Sequence, residues 1–316
     1  MLETCEKDRI DLLLIAGDMF HRQPLLRELK EVNYLFSKLT VTQVVIIIGN
    51  HDYLKTDSHY RTFTWAKNVH VLLDDKVSYV ELKNIKTAVY GASYHSREIT
   101  EKPYEKRYAK RLQKYEILMV HGGDEKHTPI KKEELLELGY DYVALGHIHK
   151  YQEILPGKIA YCGAMEPTDM NDVGLHGYIR GEMSNKGCHT QFIHAASREN
   201  IHMDVEVTPK LTGYELRELI KTKIDENGSH NIFKIRLTGY KDPEIYYDME
   251  AMDTYGNITA IEDYTKPAYN MEKIYQNNKD NILGGLIEQL RDVEEDSVEY
   301  MALCEGVRAL METRKN

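Results

Sequence analysis

Four separate apolar runs in this 316-residue chain end in the same way. Leu12–Ala16 runs into Gly17 and Asp18, and residues 44–48 run into Gly49, Asn50, His51 and Asp52. Residues 117–120 run into His121, Gly122 and Gly123, and residues 143–145 into Gly146, His147, Ile148 and His149. Each run is short and aliphatic and reads as a buried strand. In an open α/β sheet the carboxyl ends of the strands are where ligands bind, and glycine there lets the backbone turn tightly beneath a site. Asp, Asn and several His on one rim are the mixed oxygen and nitrogen ligands that suit Mn, Fe or Zn. A lone strand-end histidine is ordinarily a hydrogen-bonded structural residue, but four such ends in order point to a metal site.

The text around these runs alternates between strand and helix patterns. Pro24 stands at a helix N1 position, and Leu25, Leu29, Val32, Phe36 and Leu39 follow at helical spacing. "QVVIII", "VHVLL", "VSYVEL", "KTAVYG", "YEILMV" and "YDYVALG" read as strands, and "KKEELLELG" as a short helix closed by glycine. With further strands near residues 158–162, 178–179 and 191–194, this predicts an α/β layered domain over residues 1–197. The texture then changes. "IHMDVEVTP", "TGYELRELIKTKIDENG" and "NIFKIRLTGY" predict a smaller α+β domain over 198–263. A polar, tyrosine-rich connection followed by amphipathic segments at 281–292 and 298–311 predicts a helical segment over 264–316.

Composition narrows the function classes. The apolar runs are far shorter than the roughly 20 residues of a membrane span, and the N-terminus has no apolar signal region, so a cytoplasmic protein without a membrane association is expected. Cys5, Cys162, Cys188 and Cys304 are scattered, which fits reduced thiols rather than a zinc ribbon or disulfide frame. A net charge of −10 argues against a surface wrapped in nucleic acid, yet leaves room for a local basic face. One candidate is residues 97–114, with seven basic and three acidic residues. On a helix, Lys106, Lys110 and Lys114 would share one side, although a run like this also serves as plain solvated surface.

"GDMFHR", "GNHD", "HGG" and "GHIH", in this order, resemble motifs two to five of the calcineurin-like metallophosphoesterases, and the flanking text is similar to SbcD/YhaO-type DNA repair exonucleases. The resemblance implies a layered β-sandwich flanked by helices and a phosphodiester hydrolase with a two-cation site, Mn2+ first and Fe2+ or Zn2+ as other divalent ions. It makes Asp18 a bridge between the ions, gives Asn50, His121 and His147 to the second ion, and gives His149 to the first. His51 would contact the scissile phosphate or protonate the leaving oxygen, with Asp52 orienting its ring. It further implies DNA ends as substrate, positioned by the 198–263 domain acting as a cap. An SbcC-like ATPase subunit would dock on the terminal helices, which could equally pack on their own domain, and a homodimer is compatible with the same resemblance.

In that family a first strand ending in Asp-x-His precedes the Asp18 strand, and here only ten residues precede Asp11. Asp57-Ser58-His59 follows no apolar strand and is not a substitute. The expectation is an internal start or a truncation at Met1, one cation held well and the other poorly. A small-molecule phosphodiesterase or phosphatase, and a catalytically impaired interaction subunit, stand as alternatives to the nuclease.

Overall fold

The computed structural model describes residues 1–294 and 297–313; residues 295–296 and 314–316, part of the expected helical segment, lie outside the described residues. The chain forms two compact units, Met1–Glu199 and Asn200–Asn316.

In the first unit, α1 (Leu2–Lys7), β1 (Leu12–Ala16), α2 (Leu26–Ser37), β2 (Gln43–Ile47) and β3 (Val69–Leu72) come first. β4 (Ser78–Leu82), β5 (Thr87–Gly91), β6 (Tyr115–His121), α3 (Lys132–Glu137), β7 (Tyr142–Gly146), β8 (Gln152–Leu155) and β9 (Ile159–Tyr161) follow, and a hairpin of β10 (Gly177–Ser184) and β11 (Gly187–His194) ends the unit. β1, β2 and β3 make a parallel sheet in that order. The second sheet runs β4-β5-β6-β7-β9-β8, parallel from β5 through β9 and antiparallel at both edges.

The alternation of side chains along each strand builds the layers. Val45 and Ile47 of β2 meet Val89 of β5 and Met119 of β6 in one apolar cluster between the sheets. Their neighbours Val44, Ile46 and Ile48 point the other way, onto Cys5, Leu29 and Phe36 of the first two helices. On the far side of the second sheet, Ala88, Tyr90, Leu118 and Val120 pack with Leu135 and Leu138 at α3. The result is helix, sheet, sheet, helix, the expected layered α/β class.

The second unit opens with β12 (Asn200–Val207), α4 (Gly213–Asn227) and β13 (Ile232–Lys241), a crossover that leaves β12 and β13 parallel. β14 (Ile258–Asp263) and the two-residue β15 (Lys266–Pro267) both pair with β13. Leu216, Ile220 and Ile224, spaced four apart on α4, are fully buried against Phe233, Ile235 and Leu237. Thr212 and Glu215 close a reciprocal capping box at the start of α4. Helices α5 (Met271–Gln276), α6 (Ile282–Gln289) and α7 (Val298–Glu312) gather around Leu283, Ile287, Leu303 and Val307.

Several expectations are corrected. Residues 97–114 contain no helix, so Lys106, Lys110 and Lys114 do not share a helical side. Lys106 and Arg111 both have positive φ, Lys110 lies over the Tyr79 ring and Arg111 reaches Asp141. Pro24 precedes the helix N-cap, Leu25, instead of opening the helix, because Leu25 is held extended, its N–H donating to Glu28, and the first turn begins two residues later, at Leu26. The polar connection after residue 263 contains β15 and α5. Among the described residues no helix is long and apolar enough to cross a membrane, and the four cysteines are free thiols.

Candidate metal centre

The ends of β1, β2, β6 and β7 converge, and two glycines make the convergence possible. A Cβ at Gly49 would collide with the Asp18 carboxylate, and one at Gly146 would run into the Ala16 carbonyl, so neither loop could close with a larger residue. Asp18 and His147 themselves adopt φ of 50° and 92°. Such backbone strain in residues with a Cβ clusters at functional sites, where the surrounding structure enforces it.

Four side chains aim lone pairs at one another. His121 Nδ1 lies 2.8 Å from the Ala16 carbonyl oxygen, which can only accept, so Nδ1 carries the ring proton and Nε2 is bare. That Nε2 stands 2.8 Å from Asn50 Oδ1 and 3.2 Å from Asp18 Oδ2. His147 Nε2 lies 2.9 Å from Asp124 Oδ2 and donates to it, which leaves Nδ1 bare at 3.1 Å from the same Asn50 Oδ1. The ligand atoms of Asp18, His121 and His147 all lie within 4.8 Å of one another. One proton could relieve one of these contacts, but Asn50 Oδ1 faces two bare nitrogens at once. Oxygen and imidazole donors packed this way fit a divalent cation.

Charge supports the same conclusion. Burial alone would raise the Asp18 carboxyl, but its surroundings, with the backbone N–H of His51 donating from 2.8 Å, hold it below the usual carboxylate value. Burial lowers His147 against the opposing hydrogen bond to Asp124, keeping the imidazole neutral and able to ligate. Asp124 is well below the usual range, since donors from His147, His127 and Lys126 outweigh its desolvation.

The other expected residues take different places. His51 lies at the site through its backbone N–H on Asp18, while its ring stacks on His21 with centroids 4.6 Å apart. Burial lowers its pKa, more than the Asp18 charge raises it. Asp52 does not orient that ring. It is fully buried, with Oδ1 accepting from Gly49 N at 3.0 Å and Oδ2 from Tyr60 Oη at 2.8 Å, so it braces the loop beneath the site. His149 is outside the Asp18 group; its Nδ1 is 2.9 Å from both Asp172 Oδ2 and Thr168 Oγ1. Sequence reasoning missed Asp124 and His127, which form a second group with His147, and gave His21 no role. Asp124 directly follows "HGG", and the Asp-x-x-His spacing of residues 124–127 was the available signal.

Residues 1–151 match the calcineurin-like phosphoesterase family, whose chemistry is metal-dependent phosphoester hydrolysis. The chain is also similar to an uncharacterized metallophosphoesterase, YhaO, of Bacillus subtilis (strain 168), at 27% identity over 259 residues. The similarity covers 76% of this chain and 62% of the relative, so the chain spans about three fifths of the length of the curated protein it matches.

Proposed function

We propose that this chain is a Mn2+-dependent phosphodiester hydrolase acting on DNA ends. The observation that carries the hydrolytic part is the set of bare donors on Asp18, Asn50, His121 and His147, which would hold the cation. When bound, a divalent cation neutralises charge on phosphoryl oxygens and lowers the pKa of water. His51, neutral and fixed through Asp18 and His21, still offers a ring N–H, which suits it to contact the scissile phosphate better than to deliver a proton. Asp52 and Tyr60 keep its loop in place. The choice of DNA rests on the likeness of the text flanking the strand-end motifs to SbcD/YhaO-type DNA repair exonucleases. On the same basis the terminal helices, where Ile282, Val298 and Met301 expose apolar surface, are assigned to an SbcC-like ATPase partner.

The test offers linear duplex DNA and a generic aryl phosphodiester to the protein with Mn2+, with a chelator, and with Asp18→Asn. The expected result is Mn2+-dependent cleavage of both, starting at DNA ends and lost in the variant. Cleavage of the generic ester alone would replace DNA with a small-molecule substrate. No cleavage with Mn2+, Fe2+ or Zn2+ would make the chain an impaired interaction subunit.

A further inference from the structure

The two histidines of "GHIH" are held by opposite ring nitrogens, and in both cases the holder is a carboxylate outside the strand-end motifs. His147 gives Nε2 to Asp124 Oδ2 at 2.9 Å and turns Nδ1 toward Asn50. His149 gives Nδ1 to Asp172 Oδ2 at 2.9 Å, which leaves Nε2 as its free nitrogen.

Both carboxylates are set by their own loops before they meet a histidine. Asp124 Oδ1 accepts from the backbone N–H of Lys126 at 2.8 Å and of His127 at 3.0 Å, and the His127 ring Nδ1 adds a third donor at 2.9 Å. Asp172 Oδ2 accepts from the backbone N–H of Thr168 at 3.0 Å and from its hydroxyl at 2.6 Å. An ionised carboxylate anchored by backbone donors is a fixed acceptor, and a fixed acceptor on one ring nitrogen decides which tautomer the ring adopts and where its lone pair points. With both rings donating, every hydrogen bond around Asp124 is satisfied, so this group does not itself call for a cation; in that it differs from the Asp18 group.

We propose that Asp124 is a positioning residue for His147, and Asp172 for His149, so that two loop carboxylates make adjacent histidines present opposite nitrogens, Nδ1 and Nε2. The proposal deepens the cation-site reading above and rests on it for its consequence, stronger cation binding. Its structural content, the tautomers, stands apart from that reading.

The experiment has two readouts. Long-range 1H–15N spectra of the metal-free protein at mildly alkaline pH, assigned by the resonances lost in His147→Gln and His149→Gln, report the tautomers. The expected result is a proton on Nε2 of His147 and on Nδ1 of His149. Calorimetric Mn2+ titration then compares wild type with Asp124→Ala and Asp124→Asn. The alanine variant should bind about 10- to 100-fold more weakly with unchanged stoichiometry and a mixed His147 tautomer. The asparagine variant, whose amide oxygen still accepts from Nε2, should keep the tautomer and lose less affinity; it also serves if the alanine variant does not fold. A His147 proton on Nδ1 in the wild type overturns the proposal, as does unchanged Mn2+ affinity in the alanine variant. Loss of a whole Mn2+ equivalent also overturns it, because Asp124 would then be a ligand. Failure of the wild type to bind Mn2+ while the tautomers are as stated would overturn the functional reading and leave the positioning intact.

Discussion

His51 and Asp52 are adjacent in sequence and do different work. His51 meets the site through its backbone N–H on Asp18 and belongs to neither group that could hold a cation, so His51→Ala should leave Mn2+ affinity nearly unchanged and lower turnover on the order of 100-fold or more, the usual size of a lost proton-handling or phosphate-contacting side chain. Full activity in that variant would remove its role. Asp52 is buried, and desolvation pushes its carboxyl up to about 6 from 3.8, the hydrogen bond from Tyr60 only partly opposing this. The folded state therefore binds the Asp52 proton more tightly than the unfolded chain. Its contribution is complete below about pH 4 and is lost as pH rises through about 6. In the metal-free protein, wild type should lose on the order of 3 kcal/mol relative to Asp52→Asn across that window. Chemical denaturation at several pH values checks this, and parallel profiles for the two proteins would contradict it. Sequence adjacency put Asp52 beside the His51 ring; burial instead turned it inward to Gly49 and Tyr60, and no local pattern reveals that choice.

At the level of elements, the site depends on how closely the β1 and β7 ends approach. Gly146→Ala would drive a methyl group into the Ala16 carbonyl, the atom that also holds His121 Nδ1. The variant should be less stable by about 1–3 kcal/mol, as overpacking usually is, and should bind Mn2+ more weakly because both histidines shift. Thermal melts and Mn2+ titration together check it; a variant with wild-type stability and affinity would show that the approach is looser than described. The strands carrying these loops were legible because aliphatic runs with glycine at their ends have few other solutions, and residues 44–48, read as a buried strand, pack apolar side chains on both of their faces. Residues 97–114 were misread for a physical reason. Lysines four apart satisfy a helical spacing, but the segment buries Tyr104 and spends Lys110 and Arg111 on partners in other strands and loops. Asp124 was not legible as the holder of His147 because the two lie 23 residues apart in sequence and meet only when β6 and β7 pair.

For the whole molecule, all the strand-end residues lie in the first unit. The second unit has its own core around Val205, Ile220 and Phe233 and contributes none of the bare donors described above. A cation that binds only the folded first unit should raise its thermal transition, with about 2.7 kcal/mol of added stability at 100 times the dissociation constant. A calorimetric scan with and without Mn2+ checks this, and the increment should vanish with a chelator.

The most direct measurement is a calorimetric titration of Mn2+ into the metal-stripped protein and its Asp18→Asn variant at neutral pH. The account predicts saturable binding by the wild type and none at that site in the variant, whose fold is verified by its unchanged circular dichroism. No saturable binding by the wild type, or equal binding by both proteins, would contradict it.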